Sequence, residues 1–396
     1  MSRGSARLAI LLCAALVANS PSAAAQQEPP APQTVSQADL QAAINKLGDL
    51  DYDSRTAASR TIRRAAAPQA AGALLRAVQE HADGYVRYRA LVLLTGFNDP
   101  RTKDAMLAVL PSPNDRLRTV AYSYFEHNPD RLMIPELLVA LDKERAEFVR
   151  PALVRALASL GDDPRVQQVL TREVGRGEDF FRSVVIEAIG DYKGRYAAEA
   201  IAAVARLDGP LQDDAALALG KVGDPKALEI LAALQRSAPR ERQPSIAAAI
   251  CLLGVNCPIH TNYLLETLKF ADANSGYQEL LRGAAGGLAA VALSGHPEAA
   301  TALFDIGVPS KDPTRGPVAL AVATIALRNT PLLMTMLEKD PNPNAAIDLI
   351  AEGFDMLEED LYKERFFAFA RRTYWASAEG SPTRALMQAL IGKLDF

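Results

Sequence analysis

Between Ala215 and Leu234 the apolar positions fall at helical spacing twice over. Ala215, Leu217, Ala218 and Val222 mark one helical face, and Ala227, Leu228, Leu231 and Leu234 mark a second. Gly223-Asp224-Pro225 separates the two. Each residue of that turn has a mechanical role. Glycine ends a helix in the left-handed conformation. Aspartate accepts hydrogen bonds from the open N–H groups of the next helix. Proline fits the first helical turn, where no donor is needed. The stretch therefore predicts a helix, a tight turn and an antiparallel helix.

Weaker copies recur along the chain. Turn markers stand at Asp99-Pro100, Asn128-Pro129, Asp163-Pro164, Asp224-Pro225, Cys257-Pro258, His296-Pro297 and Thr330-Pro331, with Asp191 to Gly194 filling a gap. An arginine near the start of the preceding helix gives an independent marker. It stands at Arg55, Arg87, Arg118, Arg150 and Arg182, at intervals of 31 or 32 residues, and again at Arg282 and Arg315. Gln212 takes one vacant place, and the place near Ser245 has no arginine. One helix pair cannot bury its apolar face alone, whereas stacked pairs can. The reading is an all-α solenoid, a superhelix of about nine to ten antiparallel helix pairs. It occupies 36–340, and aromatic-rich capping helices follow over 341–396. The stretch from Ala271 to Asp312 is long for one unit, with Gly283, Gly286 and Gly287 in its helix, so the register shifts or the rod bends there. Those glycines are read as allowing close helix packing.

Val86-Arg87-x-x-Ala90, Leu117-Arg118-x-x-Ala121 and Leu281-Arg282-x-x-Ala285, with Ala218-Leu219-Gly220-x-x-Gly223-Asp224-Pro225, resemble HEAT repeats of the short type named after phycobilisome lyases. The resemblance covers most of residues 50 to 340. It implies a binding scaffold rather than a particular activity. It also implies a polar ladder between the arginine and the turn acid, with Arg87–Asp99, Arg150–Asp163 and Arg182–Asp191 as the matching pairs. Finally, it implies that the second helix of each unit lines the concave side.

Composition adds a compartment. Leu8 to Val17 is an apolar run after Arg3 and Arg7, and Ala23 to Ala25 supply small residues before a cut. That pattern reads as a signal peptide over 1–25 and places the protein in a periplasm or outside the cell. A Pro/Gln-rich tether follows over 26–35. The run is too short for a membrane span. The net charge is -4 over 396 residues, which argues against nucleic acid as a partner.

Candidate chemistry is sparse. Cys251 and Cys257 pair as a disulfide in an oxidising compartment, or else remain as a buried and an exposed thiol. A metal site with Cys251, Cys257 and His260 matches no standard zinc spacing. No serine follows a strand in a nucleophile-elbow pattern. The glycines at 283–287 lack the setting of a phosphate loop. No cofactor is called for, and the protein is read as non-enzymatic.

Two surfaces remain. Counting two positions back from the buried residue of each second helix gives Asp104, Glu136, Gln168, Glu199 and Glu229. Such residues face away from the core. With second helices on the concave side, they would line a groove for a basic or polar protein or peptide partner; otherwise they are a solvated face. Tyr362, Tyr374 and Trp375 belong to a C-terminal aromatic cluster, read either as the core of an end cap or as a partner-binding patch. The function expected is an exported interaction scaffold. The alternative is an enzyme accessory or lyase-like chaperone for a pigment or cofactor, whose signature would be Tyr, Asp and Arg converging in one deep pocket.

Overall fold

A computed structural model describes residues 35–396. The leader and all of the tether except Val35 lie outside the described residues. Those residues form 22 α-helices and no strand. Nine helix pairs run from Tyr52–Arg64 with Ala67–Glu80 to Arg315–Arg328 with Thr330–Lys339. Gln37–Lys46 precedes them, and Pro343–Met356, Asp360–Ala376 and Pro382–Leu394 follow. The architecture is an all-α solenoid. The turn chemistry works as its residues dictate: Gly223 has φ +72°, and Asp163 accepts from the Arg165 N–H at the start of its helix.

The two helices of a pair do different work. Each first helix, the one carrying the arginine marker, packs on the first helix of the next pair, from Tyr52–Arg64 through to Pro343–Met356. Second helices touch their neighbours far less. Small residues cause the difference. A methyl group added at Gly190 would lie 3.0 Å from the Ala218 Cα, and one at Gly220 would lie 2.5 Å from the Ala249 Cα. One at Gly353 would fall on the Ala319 carbonyl oxygen. Backbones this close shorten the first-helix row relative to the other, so the stack curves toward it.

The curvature corrects the expected orientation. First helices line the concave face and second helices the convex one. The closest contacts between sequence-distant repeats fall on first helices. Asp360–Ala376 leaves the stack and lies against Gly84–Leu94, Thr95–Phe97 and Asp115–His127, as well as Arg315–Arg328. Asp395, near the C-terminus, pairs with Arg60. The C-terminal helices thus return across the concave face to the first repeats.

The arginine ladder also takes a different form. Arg87 Nε donates to the Val78 carbonyl at 2.8 Å, Arg182 Nε to Val174 at 3.1 Å, and Arg315 Nη1 to Gly307 at 3.1 Å. These are carbonyls at the end of the preceding second helix, where a cation also meets the negative end of the helix dipole. Gln212 and Gln243 do the same through Nε2, on Ala205 at 3.1 Å and Ala238 at 2.9 Å. The expected acid partners are used elsewhere: Asp99 binds Arg101, Asp163 binds Arg165, and Asp191 binds Arg155 and Lys221. The long unit is absorbed by two long helices, Cys257–Ala273 and Gln278–Leu293.

Candidate partner-binding surface

Asp104, Glu136, Gln168, Glu199 and Glu229 are all exposed. They sit on second helices, so they form a convex stripe and not the lining of an inner groove. The reason is the row assignment above: a pair repeat fixes the spacing of its helices, but not which of the two is inner.

The aromatic cluster is also placed differently from a surface patch. Tyr362 and Tyr374 are buried. Of the three residues named, Trp375 alone keeps substantial exposure, at 39%. Tyr362 is held because Asp360–Ala376 has to carry something polar onto a wall of buried charges. Its hydroxyl donates to Glu126, and the Tyr192 hydroxyl donates to the same carboxylate at 2.7 Å. Arg155 Nε donates to Glu126 at 2.8 Å, and Arg155 Nη1 donates to Asp191 at 2.8 Å. The Arg328 guanidinium stands over the Tyr362 ring, 4.2 Å from its centroid. Burial works to raise the Glu126 pKa, but Arg155 and the two phenols hold it below its ordinary value. Burial works on Asp191 in the same sense, and Lys221 with Arg155 bring it down to about 2.

Tyr, acid and Arg therefore do converge, as a cofactor-handling pocket would require. The space beside them is about 160 Å³, below the range of about 300–1,000 Å³ usual for ligand pockets. The charged groups are also one another's partners. The cluster is a latch for Asp360–Ala376.

His127 lies in the same latch, with its ring edge-on to Tyr362 at 4.6 Å between centroids. Burial lowers its pKa to about 4, with Arg365, Arg328 and Arg155 adding to the effect and Glu126 opposing it. The unfolded chain takes up the proton near the ordinary value of about 6.5. Between that value and about 4 the unfolded state binds more protons, so stability falls as pH falls through this window. Thermal unfolding at pH 7, 6, 5 and 4 is expected to show that loss, and His127→Asn is expected to flatten it. A variant as acid-sensitive as the wild type would remove His127 from the account.

Beyond the latch the concave face stays open. A channel of about 630 Å³ runs across five successive first helices, from Asp179–Asp191 to Arg315–Arg328. Leu217, Leu252, Leu293 and Leu320 give it apolar floor, and Glu187, Lys193, Arg195 and Arg282 give it charge. Arg282 reaches this surface because it leaves the ladder and pairs with Glu279, one turn earlier on its own helix. Gly286 lies one turn beyond Arg282. Its neighbours earn their place by packing: a methyl at Gly283 would meet Pro244 at 3.3 Å, and one at Gly287 would meet Leu264 at 3.0 Å. A methyl at Gly286 would meet nothing within 4 Å, because it would point into the open channel. The packing role expected of all three glycines holds for Gly283 and Gly287 and not for Gly286. From sequence Leu217 marks an ordinary core face of its helix, and Leu252, Leu293 and Leu320 carry no signal that sets them apart from core.

Cys251 and Cys257 are joined as a disulfide. Among the described residues, no single helix is long and apolar enough to cross a membrane. One pair, Arg315–Arg328 with Thr330–Lys339, passes that test together, but it is bent by 120°.

No protein-family model matches the chain, and no curated protein matches it. Among solved structures it is similar to importin beta, with 15% identity over 87% of this chain and 56% of that one, at a TM-score of 0.38. It is similar to a Kap121p mutant at 14% identity, over 89% and 49% of the two chains, with a TM-score of 0.43. The chain spans about half the length of these proteins. Likenesses this distant say nothing of activity or partner. The class rests on the helix pairing itself: a HEAT-like superhelical solenoid.

Proposed function

We propose that this chain is an exported, non-enzymatic interaction scaffold, periplasmic or secreted, that binds a polypeptide in the open half of its concave face. The observation that carries this reading is Gly286. A glycine in a helix interior is less stable than alanine by about 0.5–1 kcal/mol. No packing contact repays that here. Room for an incoming backbone does. The leader pattern at 1–25 supports export.

The charge of the channel sets the character of the partner. Lys193, Arg195, Lys221 and Arg282 outnumber Glu187 and Asp191 along the channel, so an acidic or mixed-charge segment suits it better than a basic one. Basic character would belong to a partner of the convex stripe.

Crosslinked pull-down from the native envelope fraction tests the proposal. Wild type and a convex variant with Glu136→Lys, Glu199→Lys and Glu229→Lys are expected to recover one stoichiometric polypeptide. Gly286→Leu and Leu320→Asp are expected to lose it, at least tenfold. Gly286→Ala is expected to gain about 0.5–1 kcal/mol of stability while binding more weakly. Recovery of no polypeptide, or loss confined to the convex variant, would overturn the reading.

A further inference from the structure

Three side chains at the turns of the seventh and eighth helix pairs have no part in the channel or the latch. Cys251, Cys257 and His296 bring two sulfurs and one imidazole nitrogen within 4.8 Å of one another. Cys257 and His296 meet because each stands just before the proline that opens a second helix, in consecutive repeats, and consecutive turns stack. Cys251 joins them from the end of the helix that precedes its turn.

The imidazole is oriented. His296 Nδ1 lies 3.2 Å from the Glu298 carboxylate, so the ring N–H is directed there and the Nε2 lone pair is left facing the sulfurs. A carboxylate holding the far nitrogen of a histidine is the usual support for a metal-binding imidazole. The near nitrogen is 3.5 Å from Cys257 Sγ. A tetrahedral zinc ion, with bonds of about 2.3 Å to sulfur and 2.0 Å to nitrogen, separates two such ligands by about 3.5 Å. Two thiolates and one imidazole supply three of the four tetrahedral positions, and His296 is partly exposed.

We propose that this cluster has two states: a disulfide brace when oxidised, and a site for one thiophilic divalent cation, of the zinc class, when reduced. Entry into the second state needs a reductant. With a phosphine, the S–S bond breaks, the phosphine becomes its oxide by taking oxygen from water, and the water protons leave two thiols. The cation then displaces a proton from each thiol and bonds to both sulfurs and to His296 Nε2.

Cobalt titration of the phosphine-reduced chain tests this. One equivalent is expected to give intense visible bands of tetrahedral cobalt and a near-ultraviolet sulfur-to-metal charge-transfer band, both erased by added zinc. The oxidised chain is expected to give neither. Cys257→Ser is expected to lose the charge-transfer intensity. His296→Ala, which removes a partly exposed ring and leaves helical circular dichroism unchanged, is expected to weaken cobalt at least tenfold. A reduced wild type without tetrahedral bands would overturn the proposal, as would a His296→Ala chain that binds cobalt like the wild type.

Discussion

Glu364→Ala is expected to cost about 3–5 kcal/mol, the range for breaking a buried ion pair by removing one partner. Glu364 is fully buried. It accepts from Arg63 Nε at 2.9 Å and Nη2 at 2.7 Å, and from Arg371 Nη2 at 3.3 Å. The Arg63 side chain is 6% exposed. Deletion of the carboxylate strands two guanidiniums where water cannot replace it. The effect reaches beyond the pair, because Arg63 belongs to the first repeat and Glu364 to the returning C-terminal helix. A linear solenoid unfolds as a sum of repeats and interfaces, whereas one whose end is fastened to its beginning loses more at once. Denaturant unfolding of the variant is therefore expected to split into separate transitions, with early proteolysis near residues 357–380. Replacing Arg63, Glu364 and Arg371 together by Met, Leu and Met is expected to recover most of the loss, since apolar groups of similar volume leave nothing uncompensated. A single alanine variant that unfolds like wild type would show that the helix is held by its apolar face alone.

Gly353→Ala is the second large effect. The added methyl falls on the backbone of the neighbouring first helix, at the Ala319 carbonyl and the Ala323 side chain. Backbone cannot rotate away as a side chain can, so the two helices have to separate. Overpacking of this kind costs about 1–3 kcal/mol, occasionally more. The comparison with Gly286→Ala is the informative one. Both are glycines inside concave-row helices, and propensity alone would make either alanine stabilising. Opposite signs in thermal unfolding are expected, because one Cβ meets a wall and the other meets open space. If both stabilised, the close spacing of the first-helix row, and with it the stated origin of the curvature, would be wrong.

Much of this was legible in the residues, and the unreadable part has a physical cause. Period and turn chemistry are local, and Gly223-Asp224-Pro225 declares both. The role of Arg87 or Arg182 is also local, but it points backward to the previous helix rather than forward to the turn acid, and spacing carries no direction. Concave and convex rows differ by which helices can approach closely. Gly190, Gly220 and Gly353 carry that signal on the first helices, where it is easily taken for ordinary alanine-rich packing. The return of Asp360–Ala376 was not legible. Its aromatics announce a core, but the charges that anchor Tyr362 and Glu364 to the early repeats, Glu126 and Arg63, stand more than 200 residues away, and isolated charges leave no periodic trace. His296 was within reach: it holds the same turn position as Cys257, one repeat on.

The claim that the concave channel is the working surface is tested most directly by a photoreactive side chain placed at single positions. The comparison sets Leu320, inside the channel, against Glu136, on the convex stripe, with irradiation in the native envelope. The account predicts one crosslinked polypeptide from position 320, absent when Gly286→Leu is added, and none from position 136. A partner captured from position 136 and not from 320 would contradict it.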